Sequence, residues 1–253
     1  MFDLTGKVSI VTGASRGLGV TFARGLAKAG CDLAIAARNF DQLQEVSREL
    51  LEYGRRVLPV RADISRGEDV EAMLARAAGE FGKIDILVNN AGISAVAGAE
   101  AMTRDQWQTV VDTNLTGLFL CAQQAARRML NQGHGKIINI ASMYGISASS
   151  YVSQASYVAS KAAVLGLTRE LAVEWAPRGL HVVALAPGFF RSDQTVWAFE
   201  ENPELGAKLL AKVPMGRMGR LEELEGTIVY LASAASGYMN GQALVLDGGF
   251  LCW

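Results

Sequence analysis

The sequence predicts an α/β fold built as one doubly wound, Rossmann-type parallel sheet of about seven strands. Three observations carry that prediction. Short apolar runs alternate with amphipathic segments of helical length along all 253 residues, the order that builds β-α units with right-handed crossovers. The runs are continuous rather than alternating, as strands covered on both faces require. A glycine-rich turn, Thr12-Gly13-Ala14-Ser15-Arg16-Gly17-Leu18-Gly19, joins the first run directly to the first helical segment.

Taken in order, strands are expected at residues 8–11, 33–36, 57–60, 86–88, 137–140, 182–185 and 243–246. Helices are expected at 19–29, 41–53, 68–81, 115–130, 156–175 and 222–231. Half of the residues are hydrophobic and 27 are glycine, which suits close helix-on-sheet packing. No Pro- or Ser-rich linker divides the chain, so residues 1–253 are read as a single domain. One stretch breaks the alternation. Residues 189–219 are long for a connection, contain Pro203 and Pro214, and carry Phe189, Phe190, Trp197 and Phe199. They are read as a partly helical flap over a pocket.

Charge and composition exclude several classes. With 24 basic against 25 acidic residues the formal net charge is −1, so no broad field draws in nucleic acid or an anionic membrane. Cys31, Cys121 and Cys252 have neither disulfide-framework nor metal-ligand spacing. His134 and His181 stand far apart without carboxylate companions, so no metal site is expected. Residues 1–7 show no cationic segment leading into an apolar one, and no run is long enough to span a bilayer. A cytoplasmic protein is expected.

The glycine turn sits where a dinucleotide would. Glycines there allow a tight turn and close approach of backbone N–H groups to a pyrophosphate held at the helix N-terminus. The spacing G-x-x-x-G-x-G places Gly13, Ser15, Arg16, Gly17, Leu18 and Gly19 at the candidate site. A free ribose 2′-OH is usually met by a carboxylate ~20 residues further on. Here the second strand ends Ala36-Ala37-Arg38-Asn39, with no acid until Asp41. Arg38 and Arg16 could instead embrace a 2′-phosphate through charge-assisted bonds of ~1.5–3 kcal/mol each. NADP is therefore expected over NAD.

Tyr157 and Lys161 lie four residues apart, hence on one helical face, one turn apart. A phenol loses its proton near pH ~10, and moving that to neutrality takes ~4 kcal/mol. An ammonium ~4 Å away at an effective dielectric of ~20 supplies about that much. The spacing reads as a proton-transfer device, with Ser142 fifteen positions upstream.

The glycine turn, Asp63-Ile64, Asn89-Asn90-Ala91-Gly92, Asn114, Ser142, Tyr157, Lys161, Pro187-Gly188 and Asp247-Gly248-Gly249 follow one another in order. On this ordered set the chain resembles the short-chain dehydrogenase/reductase family over essentially its full length. The resemblance implies that Asp63 accepts from the adenine amino group and that Ile64, Asn90, Ala91 and Gly92 line the coenzyme cleft. It implies that Lys161 holds the nicotinamide ribose, that Pro187 and Gly188 border the carboxamide, and that Ser192 bonds the amide or phosphates. Ser142 would polarise a substrate carbonyl, Tyr157 would deliver the proton, and Lys161 would lower the Tyr157 pKa. Asn114 would hold a water that relays protons to the lysine; its plain alternative is a mid-helix Asn bonding the backbone. Homotetramers or homodimers are the family's assemblies, and the apolar ending 250–253 is read as packing across a subunit contact.

The expected substrate is a small-molecule carbonyl or alcohol. Residues 93–98 and 143–152 should face it, and both are uncharged. The tail 217–251 is similar to that of gluconate and keto-deoxygluconate dehydrogenases, whose sugar-acid carboxylates call for a cation; Arg191 is the candidate. A neutral ketone, polyol or moderately apolar alcohol fits as well. The alternatives are a 3-oxoacyl-carrier-protein reductase, with Arg169 toward the carrier, and a nucleotide-sensing protein that has lost catalysis.

Overall fold

The computed structural model describes every residue except Ser150 and Trp253. Ser150 in the expected substrate-facing stretch and Trp253 in the apolar ending thus lie outside the described residues.

Seven strands form one sheet: β1 (Val8–Thr12), β2 (Asp32–Ala37), β3 (Val57–Arg61), β4 (Ile86–Asn89), β5 (Gly135–Ile140), β6 (Leu180–Pro187) and β7 (Ala243–Leu246). They pair in parallel in the order β3-β2-β1-β4-β5-β6-β7. The strands fall where the apolar runs put them. The chain leaves β1 toward β3, then returns to place β4 on the other side of β1, with Val11 opposite Val88. This reversal opens a crevice beyond the carboxyl ends of β1 and β4, where ligands bind in such sheets.

Both faces of the sheet are covered, which explains the unbroken apolar strands. One face packs Val11, Leu33, Ile35, Val88, Ile138 and Val183 against helices α1 (Leu18–Lys28), α2 (Phe40–Leu51) and α9 (Leu221–Ala232). The other packs Ile10, Ala34, Leu87, Ile137 and Val182 against α3 (Gly67–Phe81), α5 (Leu118–Gln132) and α6 (Ala155–Trp175).

The sequence placed the start of the helix before β5 too late. Residue 115 was expected to open it, yet α4 (Arg104–Val111) runs through a π-helical turn, Asp112–Gly117, into α5. Trp107, Val110 and Val111 share one face of α4, but only Val110 is buried and Trp107 stays 40 % exposed, so the apolar stripe is short. A capping box of Thr103 and Gln106 starts it, a signal that was present in the sequence.

Residues 189–219 include α7 (Asp193–Val196), a π-helical turn (Trp197–Glu201) and α8 (Pro203–Leu210). Pro203 opens α8 at a position where its missing N–H leaves no helical bond unmade. A separate apolar cluster joins this segment to the body through Met143, Tyr144, Phe189, Ala198, Leu209 and Phe250. Among the described residues no helix is long and apolar enough to cross a membrane.

Candidate active site

The crevice beyond β1 and β4 is one cavity of about 470 Å³ that runs from the glycine turn to the segment 189–219. Thr12 closes β1 and knits the crevice floor. Its Oγ1 accepts from the backbone N–H groups of Asn90 and Ala91, each at 3.1 Å. The Asn90 side chain in turn donates to the carbonyls of Thr12 at 2.9 Å and Gly13 at 3.1 Å. These bonds press the turn so tightly onto β4 that a Cβ on Gly13 would stand 2.7 Å from the Ala91 Cα. Gly17, at φ 60° and ψ −141°, then starts α1 without a side-chain cap and without an acid in the first turn. The first N–H groups of α1 are thus left without a side-chain acceptor beside an open cavity. That is the donor set a pyrophosphate requires, and the turn fits a dinucleotide coenzyme.

Arg38 follows β2 as an exposed cation lining the same cavity. It makes no ion pair among the described residues. The next residue, Asn39, accepts from the Gln42 N–H at 3.2 Å and caps α2. Arg16 lines the cavity as well. Its guanidinium pairs with Asp193 of α7 at 2.8 Å, both side chains being more than half exposed. The glycine turn is thereby tied to the segment 189–219. Asp63 accepts from the Ser65 N–H and hydroxyl at 3.0 and 2.7 Å. Burial pushes its carboxyl up, but these bonds and the charges of Arg38 and Arg66 outweigh burial and hold it below the usual carboxylate range.

Ser142 stands just past β5, 5 % exposed, its hydroxyl accepting from the Tyr144 N–H at 3.1 Å. Tyr157 and Lys161 lie one turn apart near the start of α6, and all three line the cavity. The Lys161 ammonium donates to the Ile140 carbonyl at 2.7 Å and lies 5.7 Å from the Tyr157 ring centre. Burial lowers the Lys161 pKa to about 8. The electrostatic expectation for Tyr157 needs correction. Burial pushes the phenol up, and only a hydrogen bond with the Ser142 side chain works the other way. The lysine is directed at a backbone carbonyl, and the same low-dielectric wall that would strengthen its field penalises the phenolate more.

Asn114 sits in the π-helical turn, fully buried. Its Oδ1 accepts from the Ile93 N–H at 2.8 Å, and its Nδ2 donates to the Ile93 carbonyl at 2.9 Å and the Ser160 hydroxyl at 3.1 Å. It does not line the cavity, although Thr113 does. A methyl group on Gly92 would stand 3.3 Å from Asn114 Oδ1 and 3.4 Å from Lys161 Nζ, so these two groups converge on one space. Of the other expected residues, Ser15, Leu18, Ile64, Ala91, Pro187, Gly188 and Ser192 line the cavity, whereas Gly19 is buried beneath the turn.

Arg191 is not in the cavity wall. It points to solvent, 72 % exposed, and pairs with Glu200 at 2.7 Å. Sequence reasoning gave no individual role to Thr12, Asn39, Gln42, Thr113, Gln154 or Asp193. Of these only the Asn39–Gln42 cap spacing was legible locally. Among the described residues no group of three or more His, Cys, Asp or Glu side chains is placed to hold a metal ion.

A parallel doubly wound sheet with a glycine turn at its switch point and a Ser-Tyr-Lys wall in the same crevice defines a nucleotide-dependent oxidoreductase. A family model described as enoyl-(acyl carrier protein) reductase matches residues 13–251. The 2-dehydro-3-deoxy-D-gluconate 5-dehydrogenase of Dickeya dadantii (strain 3937) is 42 % identical over 251 residues, 99 % of this chain and 97 % of the relative. A short-chain type dehydrogenase/reductase from Mycobacterium marinum superposes with a TM-score of 0.95 at 45 % identity, covering 100 % of this chain and 98 % of that one. A gluconate 5-dehydrogenase from Burkholderia cenocepacia J2315, crystallised with NADP and tartrate, does so at 0.93 and 37 % identity with the same coverage. The chain belongs to the short-chain dehydrogenase/reductase family and is an oxidoreductase.

Proposed function

We propose that the protein is an NADP(H)-dependent dehydrogenase that interconverts a carbonyl and a secondary alcohol. The observation that carries this reading is that Ser142, Tyr157 and Lys161 open onto the same cavity as the uncapped α1 N-terminus. The reduced coenzyme, when bound, supplies hydride to the carbonyl carbon. The turn 13–19 would hold its pyrophosphate, Asp63 and Ile64 its adenine side, and Arg38 its 2′-phosphate. The relative crystallised with NADP supports the phosphorylated form.

Ser142 orients and polarises the carbonyl oxygen. Tyr157, a phenol whose pKa burial raises further, gives its proton to that oxygen as the alcohol forms. Lys161, cationic below about pH 8, holds the ribose hydroxyls with the donors that Ile140 leaves over. Asn114 positions residue 93 and the floor beneath Lys161. In this reading residues 189–219 act as a flap on a single domain, 1–253, of a cytoplasmic protein. The working form is a homotetramer or homodimer, supported by Val173 of α6, a 76 % exposed apolar side chain. Light scattering at the monomer mass would remove the last element.

The test is Tyr157→Phe, assayed by NADPH absorbance against a panel of ketones and a 3-oxoacyl thioester. Turnover should fall at least ~10³-fold, with coenzyme binding retained in fluorescence titration. Near wild-type rates in the variant would sink the proton-donor assignment. A preference for the thioester would move the reading to carrier-bound substrates.

A further inference from the structure

The cavity walls bear on what is attached to the reacting carbon, an inference that rests on the carbonyl–alcohol reading above. Met143, Tyr144, Phe189, Trp197, Phe199 and Leu209 line the side built by the segment 189–219, and Tyr157 packs against this same cluster. The rings are held in place by one another. Phe189 meets Tyr144 edge-on at 6.1 Å and Phe199 at 5.2 Å, while Phe250 backs Tyr144 and Phe189 at 6.0 and 5.8 Å. The Tyr144 hydroxyl bonds the Ser149 side chain, so its polar end already has a partner.

Among the described residues the aromatic cluster itself carries no charged side chain, and the one acid of segment 189–219 in the cavity wall, Asp193, is paired with Arg16. The cations lining the cavity are Arg16, Arg38 and Lys161. Arg16 is held by Asp193 and Lys161 by the Ile140 carbonyl, and Arg38 stands at the end of β2, on the glycine-turn side. Arg191, the cation available in sequence for a carboxylate, is outside the wall on Glu200. A carboxylate among these rings would lose its water without gaining a counter-charge, whereas an apolar group there gains by leaving water.

We infer that the substrate is an uncharged ketone or secondary alcohol bearing an aromatic or branched aliphatic group, seated against this aromatic wall, and not a sugar acid. The experiment compares acetophenone, fructose and 5-keto-D-gluconate with the purified full chain and NADPH, each with the Tyr157→Phe variant as control. The expected result is a kcat/KM for acetophenone at least 100-fold above both sugars. Phe199→Ala should lower the acetophenone value about 10-fold and leave the coenzyme KM within twofold; Phe199→Leu replaces it if the truncated protein fails to fold. A Tyr157-dependent preference of the wild type for either sugar overturns the inference and leaves the carbonyl reading standing, and an unchanged acetophenone value in the Phe199 variants also overturns it. Coenzyme binding without Tyr157-dependent turnover of any of the three brings down the carbonyl reading itself.

Discussion

The two ends of β5 each hold a buried lysine, and the contrast between them separates a structural cation from a working one. At the start of the strand Lys136 is 8 % exposed, and its ammonium donates to the Ser233 carbonyl at 2.8 Å and the Ser236 hydroxyl at 2.7 Å. At the finish the Ile140 carbonyl receives Lys161, which is 4 % exposed and makes no other hydrogen bond among the described residues. Burial lowers both to about 8, and neither has a carboxylate within ion-pair distance among the described residues. A perturbed pKa alone therefore does not mark a site. What differs is access: Lys161 lines the 470 Å³ cavity with donors left over, and Lys136 lies outside it.

Replacing each lysine breaks the symmetry in a measurable way. Lys161→Met should lower kcat/KM at least ~10³-fold, because it removes the ribose anchor and the only cation at the Ser142–Tyr157 end of the cavity among the described residues. Lys136→Met should leave kcat within twofold. In the wild type, kcat/KM for the coenzyme should decline as pH rises through about 8, where Lys161 loses its proton. Equal losses in the two variants would erase the distinction drawn from access.

The second effect concerns stability. A lysine held at about 8 in the fold against 10.5 when unfolded is penalised fully below pH 8, where both states are charged. Between pH 8 and 10.5 the unfolded chain binds more protons, so folding is favoured increasingly as pH rises, by on the order of 3 kcal/mol in all. Ser236 keeps its bond to the Leu231 carbonyl at 2.8 Å without Lys136, so Lys136→Met orphans no hydroxyl. Urea unfolding of wild type and variant at pH 7 and 10 should show their difference moving toward the wild type by about that amount. An unchanged difference would mean that Lys136 titrates normally.

How much of this was legible beforehand divides along the same line. The seven strands, the glycine turn and the Tyr157–Lys161 spacing depend on residues close in sequence, where periodicity and spacing speak directly. The π-helical turn at Asn114 and the ion pair of Arg16 with Asp193 depend on partners brought together only by the folded chain. The rise of the Tyr157 pKa belongs to this second group. Four-residue spacing fixed the proximity of Lys161, but not that Ile140, 21 positions away, would take its hydrogen bond. Asn39, capping α2 from the cavity rim, lies between the two: its N-x-x-Q spacing was readable, its place at the site was not.

Arg38 gives the smallest effect and the sharpest test of access as the deciding variable. Unlike either buried lysine it is exposed, and so its charge is screened in solution. Yet it lines the cavity just past β2, where the sequence has no carboxylate to receive a ribose hydroxyl. If access and unused donors are what count, this solvated cation should matter to function where buried Lys136 does not. Arg38→Asp should therefore shift the ratio of kcat/KM values for NADPH over NADH by about 10-fold toward NADH, the lower end of what one charge-assisted bond contributes. Raising salt should narrow the wild-type ratio as well, because the contact is screened from the solvent side. A ratio that neither the substitution nor salt alters would assign the 2′-phosphate to another group, with Arg16 released from Asp193 the next to replace.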